Sequence, residues 1–224
     1  MQDTLATLCF KQIQEMILNG DLKPGEKLKG EYLKQTLNVG LSPIREALSK
    51  LAGTKLVTFK DKIGFRVSEI SEAKIYDALQ TYAKIECLLL KEAIEHGDDE
   101  WEANIMAALY RLAKVEVVNS KIPYRIWVER NSEFHNTLIA ACKIKGLIQI
   151  RDECLALKEW YTRLAYKNLE DTLITTNHNE HAKIAQLVIA RKTESAGTQL
   201  YNHIIYDIES LILKLKKDGF IVIN

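Results

Sequence analysis

Proline and glycine are scarce in this chain, 3 and 10 among 224 residues. These residues break regular helix, so their shortage argues against a fold of turns and short strands and predicts a mostly helical one. Cysteine is also sparse. Cys9, Cys87, Cys142 and Cys154 are widely separated and form no C-x-x-C pair. That pattern is expected of small apolar fillers in a reducing compartment. No signal peptide is visible, and no apolar run approaches the ~20 residues that span a bilayer, so a soluble cytoplasmic protein is expected. Catalytic signatures are missing too: there is no H-E-x-x-H, no G-x-S-x-G and no phosphate loop. The net charge of +1 gives no global attraction to nucleic acid.

Apolar residues make up 47% and charged residues 27%, an ordinary globular mix long enough for one large or two smaller domains. The charge is unevenly divided. Residues 1–70 carry 11 Lys and Arg against 8 Asp and Glu, whereas the remainder carries 20 against 22. A mildly basic head on a mildly acidic body permits DNA binding without establishing it.

Leu5, Leu8, Cys9, Ile13, Met16 and Ile17 recur at helical spacing, with Asn19-Gly20 as a stop. Pro24-Gly25 reads as a turn, and a second helix is expected from about Gly30 to Leu37. A third helix is expected to be capped by Ser42, with Pro43 at its first position and Gly53 at its end. Ile44, Ala47, Leu48 and Leu51 would be its buried stripe. Leu56–Phe59 and Phe65–Val67 alternate as a hairpin around Lys60–Gly64. Ser68–Ser71 is a linker, and further helices are expected over 72–96, 99–119, 122–143, 146–168, 173–191 and 194–217. Gly97, Pro123, Gly146 and Gly197 lie at or near the expected breaks.

The predicted fold is mainly α: an N-terminal winged helix-turn-helix with a small β-hairpin wing, then an all-α helical bundle. Residues 1–70 would form the DNA-binding domain and residues 71–224 the all-helical domain. In such a head the third helix enters the major groove by its N-terminal end. Pro43, Arg45, Glu46, Ser49 and Lys50 avoid its apolar stripe. The planar fork of Arg45 suits guanine or phosphate, and Ser42 can contact phosphate. Lys62, Gly64 and Arg66 would place the wing on the backbone or minor groove. A single exposed Lys is as readily a solvated surface charge as a DNA contact.

The run Leu37-Asn-Val-Gly-Leu-Ser-Pro-Ile-Arg-Glu-Ala-Leu48 resembles the helix-turn-helix signature of the GntR regulators. Ile17-Leu-Asn-Gly-Asp-Leu-Lys-Pro-Gly-Glu-Lys-Leu28 resembles the segment that this family places between its first two helices, and Gly64 with Val67 resembles its wing. The sequence departs from the pattern at Leu41, where the family often has an arginine, and at Glu31, where some members are basic.

Residues 72–217 resemble the FCD ligand-binding domain of the FadR-like branch. The matching segments are Glu129-Arg-Asn-Ser-Glu-Phe-His-Asn-Thr-Leu138, Glu180-His-Ala-Lys-Ile184 and Tyr201-Asn-His-Ile204. The resemblance implies a divalent metal ion (zinc, nickel or manganese) held by Asn131, His135, His181 and His203, with Asn131 standing where the family has aspartate. Positions 131 and 135 are one helical turn apart, and the other two ligands would come from separate helices. A lone histidine is ordinarily a satisfied core or surface residue, and it is the fall of three of five at matching positions that favours a metal. His178 is expected on an exposed turn, and His96 at a helix end.

Tyr82 stands where many FCD domains carry the arginine that meets an effector carboxylate, so the effector-binding candidates are Tyr82, Arg130 and Arg163. His96-Gly-Asp-Asp-Glu-Trp-Glu-Ala103 resembles the regulators of carbon-starvation, glutarate and 4-aminobutyrate catabolism. The expected function is therefore a homodimeric repressor of a small organic acid operon, binding double-stranded operator DNA, released by a small carboxylate and acting away from any membrane. Two alternatives stay open: a metal-dependent hydrolase using the histidines, and an architectural DNA binder without effector.

Overall fold

Ala6, Cys9, Ile13 and Ile17 follow a helical period and form the buried stripe of α1 (Leu5–Leu18). The computed structural model describes residues 3–116, 124–166 and 174–221, and only the backbone of residues 124, 125 and 174–177. Two compact units emerge. The first comprises Met1–Ala78, Leu155–Lys167 and Ile208–Asn224, and the second Leu79–Cys154 and Asn168–Asp207. No helix among the described residues is long and apolar enough to cross a membrane.

In the first unit, Thr4 caps α1 by accepting a hydrogen bond from the Thr7 amide. The helix stops at Asn19, and Gly20 follows at φ +76°. A Cβ on Gly20 would stand 2.9 Å from Leu164 and 3.2 Å from Phe220, so positive φ and close packing both require glycine. The α2 helix (Gly30–Leu37) ends at Asn38 in the left-handed region, and α3 (Leu41–Leu51) packs against α1 and α2. As the apolar period predicts, α3 buries Ile44, Ala47, Leu48 and Leu51.

The ends of α3 differ from expectation. Gly40 is its N-cap, Leu41 its first residue, and no side chain caps it, so Ser42 lies inside the first turn. Pro43 is the third residue, where an amide would have no helical acceptor in any case. At the other end the chain continues through a 3-10 turn (Ala52–Thr54), and it is Lys55, not Gly53, that takes positive φ.

The strands β1 (Val57–Lys60) and β2 (Gly64–Val67) are antiparallel, pairing Val57 with Val67 and Phe59 with Phe65. Lys62 and Gly64 both have positive φ and turn the hairpin. The other edge of β2 is occupied by residues 25–28, through Gly25 N to Val67 O, Val67 N to Glu26 O and Leu28 N to Phe65 O. That pairing satisfies backbone groups an open edge would leave exposed.

The remaining helices are α4 (Glu72–His96), α5 (Asp99–Glu116), α6 (Tyr124–Leu138), α7 (Lys145–Tyr166), α8 (Ile174–Ile189), α9 (Thr193–Ile205) and α10 (Ile208–Lys217). The first unit takes the start of α4, the end of α7 and α10. There, buried Trp160 donates its indole N–H to Ile17 O at 3.2 Å, and Lys216 pairs with Glu72 at 2.7 Å.

The helix expected over 194–217 is two helices, with exposed Tyr206 at the break. Neither Gly nor Pro marks this break, so the apolar period runs through it unannounced. Conversely, Gly146 and Gly197 lie inside α7 and α9. Pro123 lies outside the described residues.

In the second unit α5 packs against α6 and α8, and α8 against α9. Leu89, Ile105, Leu112, Phe134, Leu138, Ile184, Val188 and Leu200 are among its fully buried side chains. Gly97 separates α4 from α5, and a Cβ there would lie 2.0 Å from the Trp101 ring. Asp98 caps α5 by accepting from the Trp101 amide at 2.8 Å, while the Trp101 indole donates to Thr137 O. This pins the start of α5 to the end of α6.

Candidate DNA-binding face and metal centre

The buried stripe of α3 turns its opposite face outward. Ser42, Arg45, Ser49 and Lys50 are exposed and Pro43 is half-buried. Lys50 pairs with Glu46 at 2.8 Å. Arg45 has no ion pair among the described residues, so its five donors are open to a partner. Lys62 is exposed at the hairpin tip, Gly64 turns the chain at φ +87°, and Arg66 donates to Gly25 O at 2.9 Å. Leu41, where the resemblance would place an arginine, is half-buried close to Gly30. Glu31 is exposed and faces Lys34 at 3.6 Å.

In the second unit His135 from α6, His181 from α8 and His203 from α9 converge. One ring nitrogen of each lies within 4.8 Å of the others. His135 stacks on His203 at 5.3 Å between centroids, and His181 meets His203 edge-on at 4.6 Å. His181 is fully buried and His135 nearly so. The fourth expected ligand, Asn131, is half-buried one turn before His135.

The second partners of two rings are carboxylates. His203 Nδ1 is 2.7 Å from Glu180 Oε2, and that hydrogen bond holds the Glu180 carboxyl below its ordinary range despite partial burial. His181 Nδ1 is 3.0 Å from Glu116 Oε1, although not in line for a hydrogen bond. With its proton on Nδ1, beside the carboxylate, the His181 ring presents the lone pair of Nε2. His181 Nε2 is buried with no hydrogen-bond partner among the described residues. A buried polar atom without a partner is costly, and a cation would satisfy it. Three converging imidazoles backed by carboxylates are a donor set that fits a transition metal. Contrary to the expected exposed turn, His178 is on α8 with Nδ1 3.4 Å from Glu116 Oε2. His96 does end α4, where its ring bonds Glu92 O.

The effector candidates are divided between the two units. Tyr82 is buried on α4, its ring 5.9 Å from the guanidinium carbon of Arg151. Arg130 donates to Glu133 at 2.9 Å, and the same carboxylate takes Arg111 at 2.7 Å. Arg163 belongs to the first unit, where it forks onto Glu15 and donates to Asn19 at 2.8 Å. Sequence reasoning missed Arg151. Its Nε donates to Glu86 Oε1 at 2.7 Å, with both side chains buried. Burial opposes the Arg151 charge, but the Glu86 carboxylate outweighs it and keeps the guanidinium firmly protonated. Burial first, and the Glu86 charge second, push the Tyr82 hydroxyl far above its ordinary range. The signal was present: Glu86, Glu116 and Arg151 each occupy a position in an otherwise apolar helical stripe.

A three-helix head with a hairpin wing and an exposed recognition helix, followed by helices that gather three histidines, defines a winged-helix regulator with a sensor domain. Residues 8–67 match the model of the bacterial regulatory proteins of the gntR family, and residues 77–205 match the FCD domain. The chain belongs to the GntR family, and is a DNA-binding transcription regulator of the GntR/FCD type rather than an enzyme. It is 31% identical over 207 residues to the HTH-type transcriptional repressor GlaR of Escherichia coli K12, covering 89% of this chain and 92% of that one. It is 28% identical to the uncharacterized HTH-type transcriptional regulator BphR of Paraburkholderia xenovorans LB400, over 97% and 88% of the two chains. The structure of McbR/YncC of E. coli superposes with a TM-score of 0.74 at 16% identity, covering 95% of this chain and 99% of that one, and so shares the fold. Membership of this family sets aside the hydrolase alternative.

Proposed function

We propose that the chain is a ligand-released repressor, acting as a cytoplasmic homodimer on a short pseudopalindromic operator. Residues 1–70 bind DNA, and residues 71–224 dimerise and take a small carboxylate effector. The observation that carries this reading is the exposed, uncommitted Arg45 on a helix whose other face is fully buried. Ser42, Pro43, Ser49 and Lys50 flank it on α3, and Lys62, Gly64 and Arg66 form the wing contact. Similarity to a named repressor supports repression over activation. The effector relieves binding only if it prefers the DNA-free state, and DNA must weaken effector binding by the same factor. The test is fluorescence anisotropy on the chain's own promoter fragment, titrated with C4–C6 mono- and dicarboxylates including glutarate. Release by one of them, with the reciprocal loss of its affinity when DNA is bound, is expected. Tight binding of an acid that leaves DNA affinity unchanged overturns the switch.

In this reading a divalent metal sits on His135, His181 and His203, with Asn131 as a neutral fourth donor. Three imidazoles without an anionic oxygen favour zinc or nickel over manganese. Adding zinc to the EDTA-stripped chain at about a hundred times its dissociation constant stabilises it by about 2.7 kcal/mol. For a chain of this size that raises the melting midpoint by roughly 5–10 °C. His135→Ala is expected to abolish the shift. Equal shifts in wild type and variant would exclude the histidine site.

A further inference from the structure

Asn131 leaves the metal centre one negative charge short of a carboxylate-plus-histidine set, and two carboxylates stand behind the imidazoles. Glu180, behind His203, is 29% exposed, so water screens its charge. Glu116, behind His181, is 0% exposed. It closes the apolar stripe of α5, a place where a carboxylate is costly unless donors or cations meet it. The groups around it are neutral when unprotonated: Trp127 Nε1 at 3.2 Å and His181 Nδ1 at 3.0 Å from Oε1, and His178 Nδ1 at 3.4 Å from Oε2. No Lys or Arg pairs with it among the described residues, and Oε2 accepts no hydrogen bond from them. A buried charge of this kind is compensated once a cation lies on the far side of the ring it faces.

Resting on the metal reading above, we infer that Glu116 is a positioning residue that supplies, through the imidazole of His181, the negative charge that Asn131 withholds. His181 can offer Nε2 to a cation only while Nδ1 keeps its proton, and a carboxylate charge 3.0 Å from Nδ1 favours the proton on that side of the ring. The field of Glu116 reaches the centre with little screening because its side chain is closed to solvent, whereas that of the partly exposed Glu180 is diluted. The sequence change at one ligand position and the buried charge behind another are thus two halves of one adjustment.

The experiment titrates zinc and nickel into the EDTA-stripped full-length chain by competition with a chromophoric chelator, with circular dichroism as the check on folding. Glu116→Gln is expected to weaken metal binding by 10- to 100-fold. Glu180→Gln should lose less, and adding Asn131→Asp to the Glu116→Gln chain should restore most of the affinity. Where Glu116→Gln fails to fold, Glu116→Asp, which keeps the charge but withdraws it from Nδ1, should show the same direction of loss. Wild-type affinity in Glu116→Gln overturns the inference and leaves the metal reading standing. A loss that Asn131→Asp does not repair overturns it too, since the role would then be packing. A wild-type chain that binds neither metal overturns the metal reading beneath it.

Discussion

Replacing Arg45 with alanine is expected to weaken operator binding by roughly 30- to 10⁴-fold, at about 1–3 kcal/mol for each bidentate base contact and two such contacts in the proposed dimer. The expectation follows from α3. Ile44, Ala47, Leu48 and Leu51 are locked in the head's core, which fixes the rotation of the helix. Arg45 then projects from the second turn with no ion-pair partner to leave among the described residues. Lys50 is already committed to Glu46, so Lys50→Ala should cost far less. Lys62→Ala should act differently again. As a wing contact to phosphate it should weaken all sequences alike and reduce the salt slope by about one per half-site. Anisotropy with operator and scrambled duplexes at several salt concentrations separates the two behaviours. An Arg45→Ala protein that still discriminates operator from scrambled DNA, with its helicity intact, refutes the assignment.

The head was legible because local signals agree there. The period of α3, the turn at Pro24-Gly25 and the alternation around Lys60–Gly64 all act over a few residues, and each appears where expected. The cap of α3 was not legible. Ser42-Pro43 has the chemistry of a start, but the chain takes its non-helical step earlier, at Gly40. The break at Tyr206–Asp207 carries no breaker residue, so tertiary packing and not local propensity sets it. Among the site residues, the three histidines were found through the family resemblance, and the structure gathers them. Glu116 and Arg151 were missed because a charged residue at one position of a stripe reads as an interruption until its partner on another helix is known. Arg130 and Arg163 drew attention as cations, yet the carboxylates that engage them, Glu133 and Glu15, are set by tertiary structure.

That blind spot also marks where the second unit should be most sensitive. Arg151→Ala is expected to destabilise the protein by about 3–5 kcal/mol, because it leaves the Glu86 carboxylate buried without its cation. At 2–4 °C per kcal/mol for a chain of this size, the melting midpoint should fall by roughly 6–20 °C. Little solvent discount applies, since the Arg151 and Glu86 side chains are 6% and 0% exposed. Glu86 Oε2 lacks a hydrogen bond among the described residues, and the neighbouring Tyr82 hydroxyl offers only a neutral donor in place of the guanidinium. The strength of the pair as a stabiliser is a separate matter. Desolvating both ions offsets most of their attraction, so Glu86→Leu with Arg151→Met together should melt close to wild type or above it. The two outcomes distinguish a costly orphan from a strong bond. A single Arg151→Ala variant melting within 2 °C of wild type, on the order of 1 kcal/mol or less, would mean that Glu86 finds other compensation. If the double variant stays as unstable as the single one, shape in this part of the core, not charge, is what Arg151 provides.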